Sequence, residues 1–269
     1  MIELEEKTLK KLQQTELEIL TEFDRVCRKN NIKYSLTGGT LLGAVRHGGF
    51  IPWDDDADVS MLRGEYEKFK SALEKDLDKE RFYFQDMENT PGYRWGYAKL
   101  RKRGTVFLRE HQEDMPYEQG VFMDIFPRDS VPDGRIARKI HAAACFCVRK
   151  ILWSAVGRRA CKSRAARIWF SFLYRFFGNG IYKIYRRLVK VSGKRPNTRL
   201  VRALTFPVPR GFSGYKREWY NEYVDIEFAG KTFMAEKGYL EWLSQEFGNY
   251  MELPPPEKRK IHPVVEIKL

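Results

Sequence analysis

A glycine pair, a basic pair and four aspartates lie close together in one stretch, Tyr34 to Val59, which reads YSLTGGTLLGAVRHGGFIPWDDDADV. If residues 56–61 form a strand, Asp56 and Asp58 project from the same face, because side chains alternate along a strand. Two carboxylates on one face repel each other, and a hard cation such as Mg²⁺ relieves that repulsion. The spacing therefore predicts a metal site for phosphoryl or nucleotidyl transfer, in which phosphate oxygens complete the coordination shell.

The segment before these aspartates has the pattern of a strand, a turn and a helix. Residues 32–36 predict a short strand that enters a turn at Gly38 and Gly39. Thr40 is placed to cap a short helix that runs to about Arg46. A strand that ends at glycines and continues into a helix presents free backbone N–H groups, to which phosphate binds. An isolated DDDAD run is more typical of a solvated acidic loop, but the glycine turn upstream favours the transfer site.

Two further cations lie on a predicted strand downstream. Residues 81–86 and 95–101 alternate like strands, and residues 89–92, Asn-Thr-Pro-Gly, form a turn signal between them. Lys99 and Arg101 fall on one face of the second strand, where we expect them to neutralise a diphosphate. The alternative for Lys99 is a surface lysine on an edge strand.

A third carboxylate is expected from the segment GVFMDIFP, residues 120–127. Strand alternation places Phe122, Asp124 and Phe126 on one face. An aspartate inside an apolar strand is costly to bury as an anion unless it is paired, so a cation or a hydrogen-bond network should meet it. Asp124 is therefore predicted to complete the Asp56 and Asp58 site, and a structural aspartate that caps a neighbouring loop is the alternative.

The composition is that of a chain with a sizeable core. With 269 residues, 43% of them apolar, it is expected to fold as one large domain or as one domain with a substantial insertion. Four cysteines without CxxC spacing indicate neither a zinc site nor a disulfide framework. An amphipathic helix is predicted over residues 3–30 and another over 64–77. The first residues lack the apolar run of a secretory signal, which predicts a cytoplasmic protein.

The segment from Gly134 to Arg202 is strongly basic. It holds nineteen lysines and arginines and no acidic residue, so the positive charge of this segment exceeds the net charge of the whole chain, +13. Aromatic residues are interleaved with the cations, and no uninterrupted apolar run reaches the ~18 residues that a spanning helix requires. Basic, aromatic-rich helices of this kind are typical of segments that lie in the membrane interface. Docking on an anionic membrane surface is favoured over a packed helical subdomain, and nucleic acid is not an expected partner because no nucleic-acid-binding motif is present.

Two motifs carry a family resemblance. GGTLLGAVRHGGFIPWDDDADV followed by FMDIFP resembles the LicD family of phosphotransferases, which is related to fukutin-type proteins and to the wider nucleotidyltransferase superfamily. The segment FGNYMELPPPEKRKIHP resembles the closing segment of that family, so the similarity covers about residues 30–130 and 225–265. It implies an α/β (α+β) fold with a nucleotidyltransferase-like mixed sheet flanked by helices. The expected division is a catalytic core over 1–133, a basic helical insertion over 134–205 and the C-terminal part of the core over 206–269.

The resemblance also implies an activity. Members of the family move a phospho-alcohol, such as phosphocholine, from a CDP-activated donor to a hydroxyl of a glycan, and release of CMP follows. The acceptor is expected to be a cell-surface glycan or its lipid-linked precursor, with the enzyme attached peripherally to the inner face of the membrane. Mg²⁺ is the implied cofactor, with Mn²⁺ as the alternative. The rival functions are nucleotidyl transfer with release of pyrophosphate and a catalytically silent protein that binds membranes or polyanions.

The site residues implied by the resemblance match positions in the two motifs. Gly38 and Gly39 match the turn, Asp56 and Asp58 the metal pair, and Asp124 the third carboxylate, which serves as a shared ligand or as the base. The distance along the chain from Gly39 to Asp56 exceeds that of shorter-linked members of the superfamily.

The remaining expected contacts concern the substrates. Arg46 and Lys99 should offset charge on the leaving group, and His47 either orients its loop or contacts phosphate. Thr40 and Arg101 complete the expected substrate-binding set. Asp54 and Asp55 are expected to support the site or to cap. His262 is expected to lie in a solvent-exposed tail, and the alternative is that it approaches the site. The aromatic candidates to contact a choline group are Trp53, Tyr93, Trp95 and Tyr97. A polyol would need polar groups instead, and the sequence leaves the choice of alcohol open.

Overall fold

The protein is a mixed α/β structure, as the sequence predicts, and the computed structural model describes residues 5–178, 180–195, 197–259 and 261–269. The helices are α1 (Glu6–Lys29), α2 (Gly38–His47), α3 (Arg63–Asp76), α4 (Arg135–Ala160), α5 (Arg164–Phe177), α6 (Ile181–Gly193) and α7 (Tyr239–Phe247). The strands are β1 (Ser35–Leu36), β2 (Asp58–Leu62), β3 (Phe82–Gln85), β4 (Ala98–Lys102), β5 (Val106–Arg109), β6 (Phe122–Val131), β7 (Leu200–Arg202), β8 (Tyr215–Lys216), β9 (Tyr223–Phe228), β10 (Lys231–Glu236) and β11 (Val264–Lys268). Short 3₁₀ helices cover Arg217–Tyr220 and Pro256–Lys258.

The main sheet has the order β1-β2-β6-β4-β3, and β7 extends it by pairing with the end of β6 and with β8. Strands β2 and β6 are parallel, whereas β6 is antiparallel to β4 and β7. All ten residues of β6 are buried, because this strand lies in the middle of the sheet with partners on both sides. The parallel register places Asp58 opposite Asp124 and Val59 opposite Ile125. Two aspartates from distant parts of the chain therefore face each other across neighbouring strands.

Helices α1 and α3 cover the sheet with their apolar faces. Leu12, Ile19 and Phe23 of α1 are fully buried, as the helical spacing of apolar residues predicts. The Phe23 ring contacts both Tyr34, at 4.9 Å between centroids, and Phe69 of α3, at 4.7 Å. These contacts fix the entrance to β1 and thus the approach of the chain to the glycine pair.

Two strand pairs stand beside the main sheet. Strands β9 and β10 form a hairpin, and its two turn residues, Ala229 and Gly230, both have positive φ, at 52° and 73°. Such a turn matches the twist of the two strands. Strand β11 pairs antiparallel with β5, with Val264 opposite Arg109. This pairing carries the C-terminal segment back to the main sheet.

Helices α4, α5 and α6 form a layer with a small apolar core of its own. Its buried members include Cys145, Ile151, Leu152, Phe170, Leu173, Tyr185 and Leu188. The layer is joined to the main sheet by the Tyr185 hydroxyl, which donates to the Gly96 carbonyl at 2.8 Å. Arg63 donates to both carboxylate oxygens of buried Asp129, at 2.8 and 2.7 Å. The boundaries 133/134 and 205/206 stay predictions, although the helices account for most of the predicted insertion.

Helix α4 is the one helix in the described part of the chain whose length and composition would allow it to cross a membrane. Its 18-residue window has a mean hydropathy of 1.2, and half of that window is buried inside the protein. No spanning segment was expected, because the sequence contains no uninterrupted apolar run of this length, but α4 meets the criterion by length and mean hydropathy. The core helix of a soluble protein meets the same criterion.

The pairing of Arg63 with Asp129 provides a test of how the sheet is stabilised. Arg63→Met should lower the free energy of unfolding by about 3–5 kcal/mol, because it leaves a buried carboxylate without its partner. Arg28→Met is the control, since it removes ion pairs to Asp24 and Asp225 at a more exposed site and should cost at most about 1 kcal/mol. Urea unfolding followed by tryptophan fluorescence measures both. Equal losses in the two variants would contradict the dominant role of the buried pair.

Candidate active site

The glycine pair brings the start of α2 against the aspartates. Gly38 begins the helix with a φ of +60°, a conformation that favours glycine. A β-carbon on Gly38 would lie 2.6 Å from Asp58 Oδ2, and one on Gly39 would overlap Asp54 Oδ2. The absence of both side chains therefore lets two carboxylates approach the first turn of the helix.

Thr40 has a different place from the one expected. The helix begins at Gly38, with Thr37 at the N-cap position, so Thr40 lies inside the first turn and is not the cap. Its hydroxyl accepts a hydrogen bond from the Asp58 N–H at 2.7 Å. The Thr37 N–H in turn donates to the Asp58 carbonyl at 3.1 Å. These two bonds fix the backbone of Asp58 relative to α2.

The aspartates occupy the start of β2 and the loop before it. Strand β2 begins at Asp58, so the predicted strand over residues 56–61 starts two residues too early and Asp56 lies in the loop. Burial raises the pKa of Asp58 well above its usual range, and the charges of Asp56, Asp124 and Asp54 raise it further. Burial likewise raises the pKa of Asp54 and of Asp56. The carboxylates thus hinder one another's ionisation, which is the situation that a bound cation relieves.

Three basic groups contact this cluster. Lys99 forms a buried ion pair with Asp124, directly across from it on β4. Arg109 lies 3.5 Å from Asp56 (Nη2 to Oδ2). Burial lowers the pKa of Lys99 to about 7, although the charge of Asp124 acts in the opposite direction. Lys99 and Arg109 therefore neutralise one aspartate each.

The third basic group, His262, approaches from the C-terminal segment. Its backbone N–H donates to Asp55 Oδ2 at 2.9 Å, and its ring Nδ1 lies 2.9 Å from Asp55 Oδ1 and 3.6 Å from Asp56 Oδ2. Of the two alternatives for His262, the approach to the site is the one observed, because the pairing of β11 with β5 brings this segment to the aspartates. Among the described residues, ligand atoms of Asp55, Asp56 and His262 all lie within 4.8 Å of one another.

The predicted carboxylate triad is divided between two sets of contacts. Asp58 and Asp124 face each other across the parallel strands, and Asp124 is held by Lys99. Asp56 contacts Arg109 and His262. All three carboxylates nevertheless lie close enough for Asp56 and Asp124 to raise the pKa of Asp58. Carboxylate oxygens and the His262 imidazole are thus available near Asp56 as ligands for a metal ion.

A further carboxylate lies behind the cluster on α1. Glu16 is 1% exposed, and its Oε2 has no hydrogen-bond partner in the described part of the chain. Burial raises its pKa well above the usual range, and the charges of Asp56, Asp55 and Asp54 add to the effect. Glu16 was not predicted from the sequence. It follows Leu12 by four residues and so falls on the apolar stripe of α1, and a carboxylate at such a position indicates a buried charge.

Three of the expected substrate-binding residues have structural contacts. The buried guanidinium of Arg101 donates to Gln85 Oε1 at 2.6 Å and to the Gly120 carbonyl at 2.5 Å. Arg46 donates to the carbonyls of Tyr250 and Glu252, at 2.9 and 3.3 Å. These contacts fix neighbouring loops, and within the described residues neither guanidinium forms an ion pair with an aspartate.

His47, the third of these residues, ends α2 and is exposed. Its ring meets that of Trp53 edge to face, with centroids 6.4 Å apart. Arg259 lies 4.3 Å above the same tryptophan. Trp53 is thus covered by the C-terminal segment, which leaves it a different environment from the other aromatic candidates.

A cavity of about 260 Å³ opens beside Lys99 and Arg109. Its aromatic lining consists of Trp95, Tyr97, Trp153 and Phe206. Trp153 and Arg149 belong to α4, so one of the basic helices (α4, α5 and α6) supplies a wall of the cavity. Of the four aromatic candidates, Trp95 and Tyr97 line it, and buried Tyr93 donates from its hydroxyl to the Tyr97 carbonyl at 3.1 Å. The cavity combines fixed positive charge with aromatic faces.

Comparison with known proteins connects this geometry with a family. The LicD/FKTN/FKRP nucleotidyltransferase domain matches residues 31–140. The lipopolysaccharide cholinephosphotransferase LicD of Haemophilus influenzae is 31% identical over 271 residues, which cover 96% of this chain and 97% of that protein. The ribitol 5-phosphate transferase FKRP of mouse and of human is 57% identical over 30 residues, which cover 11% of this chain and 6% of theirs. An uncharacterised protein of Rickettsia prowazekii is 29% identical over 116 residues, 43% of this chain and 40% of its own.

The contact of Gly39 with Asp54 generates a prediction about cation binding. Gly39→Ala should weaken Mn²⁺ binding at least tenfold, because the added methyl group displaces a carboxylate from the cluster. Gly49→Ala is the matched control, since a β-carbon there meets its nearest atoms, in Ala229, at an ordinary 3.5 Å. Calorimetric titration with Mn²⁺ measures both variants. Unchanged Mn²⁺ affinity in Gly39→Ala would show that the approach of α2 does not shape the cation site.

Proposed function

The chain belongs to the LicD family, and on that premise we propose that it transfers a phospho-alcohol from a CDP-activated donor to a hydroxyl of a cell-surface glycan or its lipid-linked precursor, releasing CMP. The observation that carries the proposal is the cluster of aspartates at β2 and β6 beside a cavity lined by Lys99 and Arg109. Its relatives from Haemophilus influenzae, mouse and human, named for cholinephosphate and ribitol 5-phosphate transfer, support the substrate class. Both names describe transfer of an alcohol that carries a phosphate.

The residues present fit a divalent cation. Carboxylate oxygens are the ligands that Mg²⁺ prefers, with Mn²⁺ as the alternative, and burial, together with repulsion from neighbouring aspartates, raises the pKa of Asp58 in the protein alone. Asp56 and Asp58 would hold the ion, with Asp124 next to them on β6. When bound, the ion would polarise phosphoryl oxygens as a Lewis acid.

The remaining groups bind and orient the donor. Lys99 and Arg109 place positive charge in the cavity wall, where it offsets the negative charge of a phosphoryl group during transfer. The first N–H groups of α2, at Gly38 and Gly39, are directed out of the helix start and favour an anion there. Asp124 either shares the cation or accepts the proton of the acceptor hydroxyl, and Lys99 is its ion-pair partner.

The cavity accommodates either class of alcohol. The faces of Trp95, Tyr97 and Trp153 suit a quaternary ammonium group, which makes no hydrogen bonds. Gln112 and Thr205 in the same lining offer hydrogen bonds to a polyol. The donor assay therefore includes both a choline donor and polyol donors.

Product analysis tests the proposed reaction. The protein with Mg²⁺, a membrane extract and CDP-choline, CDP-ribitol or CDP-glycerol should release CMP. Asp58→Asn should lower turnover about 100-fold or more, because it removes a charged ligand of the cation, while the exposed variant Asp225→Asn should keep full activity. Release of pyrophosphate from CTP or ATP would instead indicate nucleotidyl transfer. A protein that releases neither product would be catalytically silent.

We further propose that the basic helices hold the enzyme on the inner face of the membrane. In α5, Trp169, Phe172 and Phe176 form an exposed stripe with successive rings in contact, 5.8 and 4.4 Å apart between centroids. The same helix carries Arg164, Arg167 and Arg175 and no acidic residue. An apolar stripe beside basic side chains suits an anionic membrane interface. Such docking would place the enzyme where a lipid-linked glycan is found.

Liposome flotation tests this placement. The intact protein should float with anionic liposomes at low salt and less at high salt, because screening weakens its attraction to the lipid. Replacement of Trp169, Phe172 and Phe176 by serine should reduce flotation at least fivefold. The control replaces three exposed apolar residues elsewhere, Leu240, Phe247 and Met251, by serine. If the intact protein stays in solution, or if both triple variants lose flotation equally, the stripe is not the anchor.

A further inference from the structure

A second concavity, of about 680 Å³, lies between α3 and α6. We call it the α6 groove, and its lining includes Tyr66, Lys70, Trp95, Tyr182, Arg186 and Lys190. It is larger than the cavity beside Lys99 and has the size of a site for an extended ligand. Neither the carboxylates nor the donor-binding groups described above account for it.

The α6 groove meets the catalytic cavity at one short segment. Trp95, Gly96 and Tyr97 line both spaces. A β-carbon on Gly96 would collide with the side chain of Thr205, while the Tyr185 hydroxyl holds the Gly96 carbonyl from the other side. The wall between the two spaces is therefore one short backbone segment that contains Gly96 and precedes β4. A molecule lying in the groove would reach the cavity over the Trp95 and Tyr97 rings.

The surplus charge of the groove comes from α6. Lys183, Arg186, Arg187 and Lys190 line it and are exposed, and in the described part of the chain none of them forms an ion pair within 4.0 Å. The cations of the opposite wall already have partners, because Arg63 pairs with Asp129, and Lys70 pairs with Asp86 and Glu88. The α6 cations are thus available to a bound anion.

The groove also offers aromatic surface. Tyr182 and Trp95 are half-buried in its lining, and Arg186 lies 5.5 Å from the centre of the Tyr182 ring. Aromatic faces with hydroxyl or N–H groups at their edges suit ligands that are apolar on one side and polar on the other. A sugar ring has this character, whereas a simple inorganic anion would use the charges alone.

We infer that the α6 groove binds the acceptor, and that the acceptor is an anionic glycan bearing phosphate groups. The inference rests on the proposed function, because it supplies the second substrate of that reaction. The donor occupies the cavity beside Lys99 and Arg109, so the acceptor must enter from another direction, and the groove adjoins the cavity at Trp95, Gly96 and Tyr97. Unpaired arginine and lysine side chains on one wall select a phosphorylated ligand over a neutral one.

Binding of a defined probe tests the assignment. The probe is an oligosaccharide with one phosphate monoester, and its dephosphorylated counterpart is the reference ligand. The intact protein should bind the phosphorylated form at least tenfold more tightly. Arg186→Gln combined with Lys190→Gln should abolish that preference, whereas Arg164→Gln combined with Arg167→Gln, an equal loss of charge on α5, should keep it within twofold. The charge-conserving pair Arg186→Lys and Lys190→Arg should retain most of the binding.

Two results would overturn the inference, namely equal affinity of the intact protein for both probes and equal loss of binding in the α5 control. The binding measurements contain no donor, so they do not depend on turnover. CMP release from the CDP-alcohol is measured separately on the intact protein, with the membrane extract as the source of acceptor hydroxyls. Loss of CMP release in the intact protein would contradict the proposed function, whereas normal release with no probe preference would contradict the groove assignment alone.

Discussion

The mutual repulsion of carboxylates at the start of β2 is the constraint on which the rest of the structure depends. Transfer of an ion out of water costs several kcal/mol unless it is compensated, and here Asp54, Asp55, Asp56, Asp58 and Asp124 are gathered in one place. The compensation is drawn from separate elements, with a lysine from β4, an arginine from β5 and a histidine that precedes β11. The glycine pair at the head of α2 removes the side chains that would otherwise keep the aspartates apart. The glycine pair and the three basic side chains thus allow five aspartates to lie close together.

The part of the site that depends on local pattern is predictable from sequence. The glycine turn and strand alternation indicate Gly38, Asp58 and Asp124, and the structure places the two aspartates in register on parallel strands. The start of β2 is misjudged by two residues because alternation does not reveal where strand pairing begins. Thr40 is misassigned for a similar reason, since a threonine near a helix start is compatible with a cap or with a bond to the next strand.

Two basic residues, Arg109, which was not predicted, and His262, whose approach was only the alternative, reach the site through tertiary contacts. Arg109 and His262 are brought together by the pairing of β5 with β11, and no local periodicity specifies which distant strands pair. The basic helices α4, α5 and α6 are a second case in which the sequence does not specify long-range contacts. Their composition indicates a surface that binds anions, but it does not reveal that α4 lines the cavity beside Lys99 and Arg109 or that α6 lines the neighbouring groove. One highly charged segment thereby contributes to the walls of two adjoining spaces.

The parallel alignment of β2 with β6 has a consequence for the order of folding. Parallel strands need a long crossover, and here α3, β3, β4 and β5 intervene between the two halves of the carboxylate site. Contacts between distant segments form late, since chain entropy is lost before they are gained. A chain that has folded only its first half therefore holds the aspartates of β2 without their counterpart on β6. An ion that is held by carboxylates of both strands would therefore bind the finished molecule more tightly than a partly folded chain.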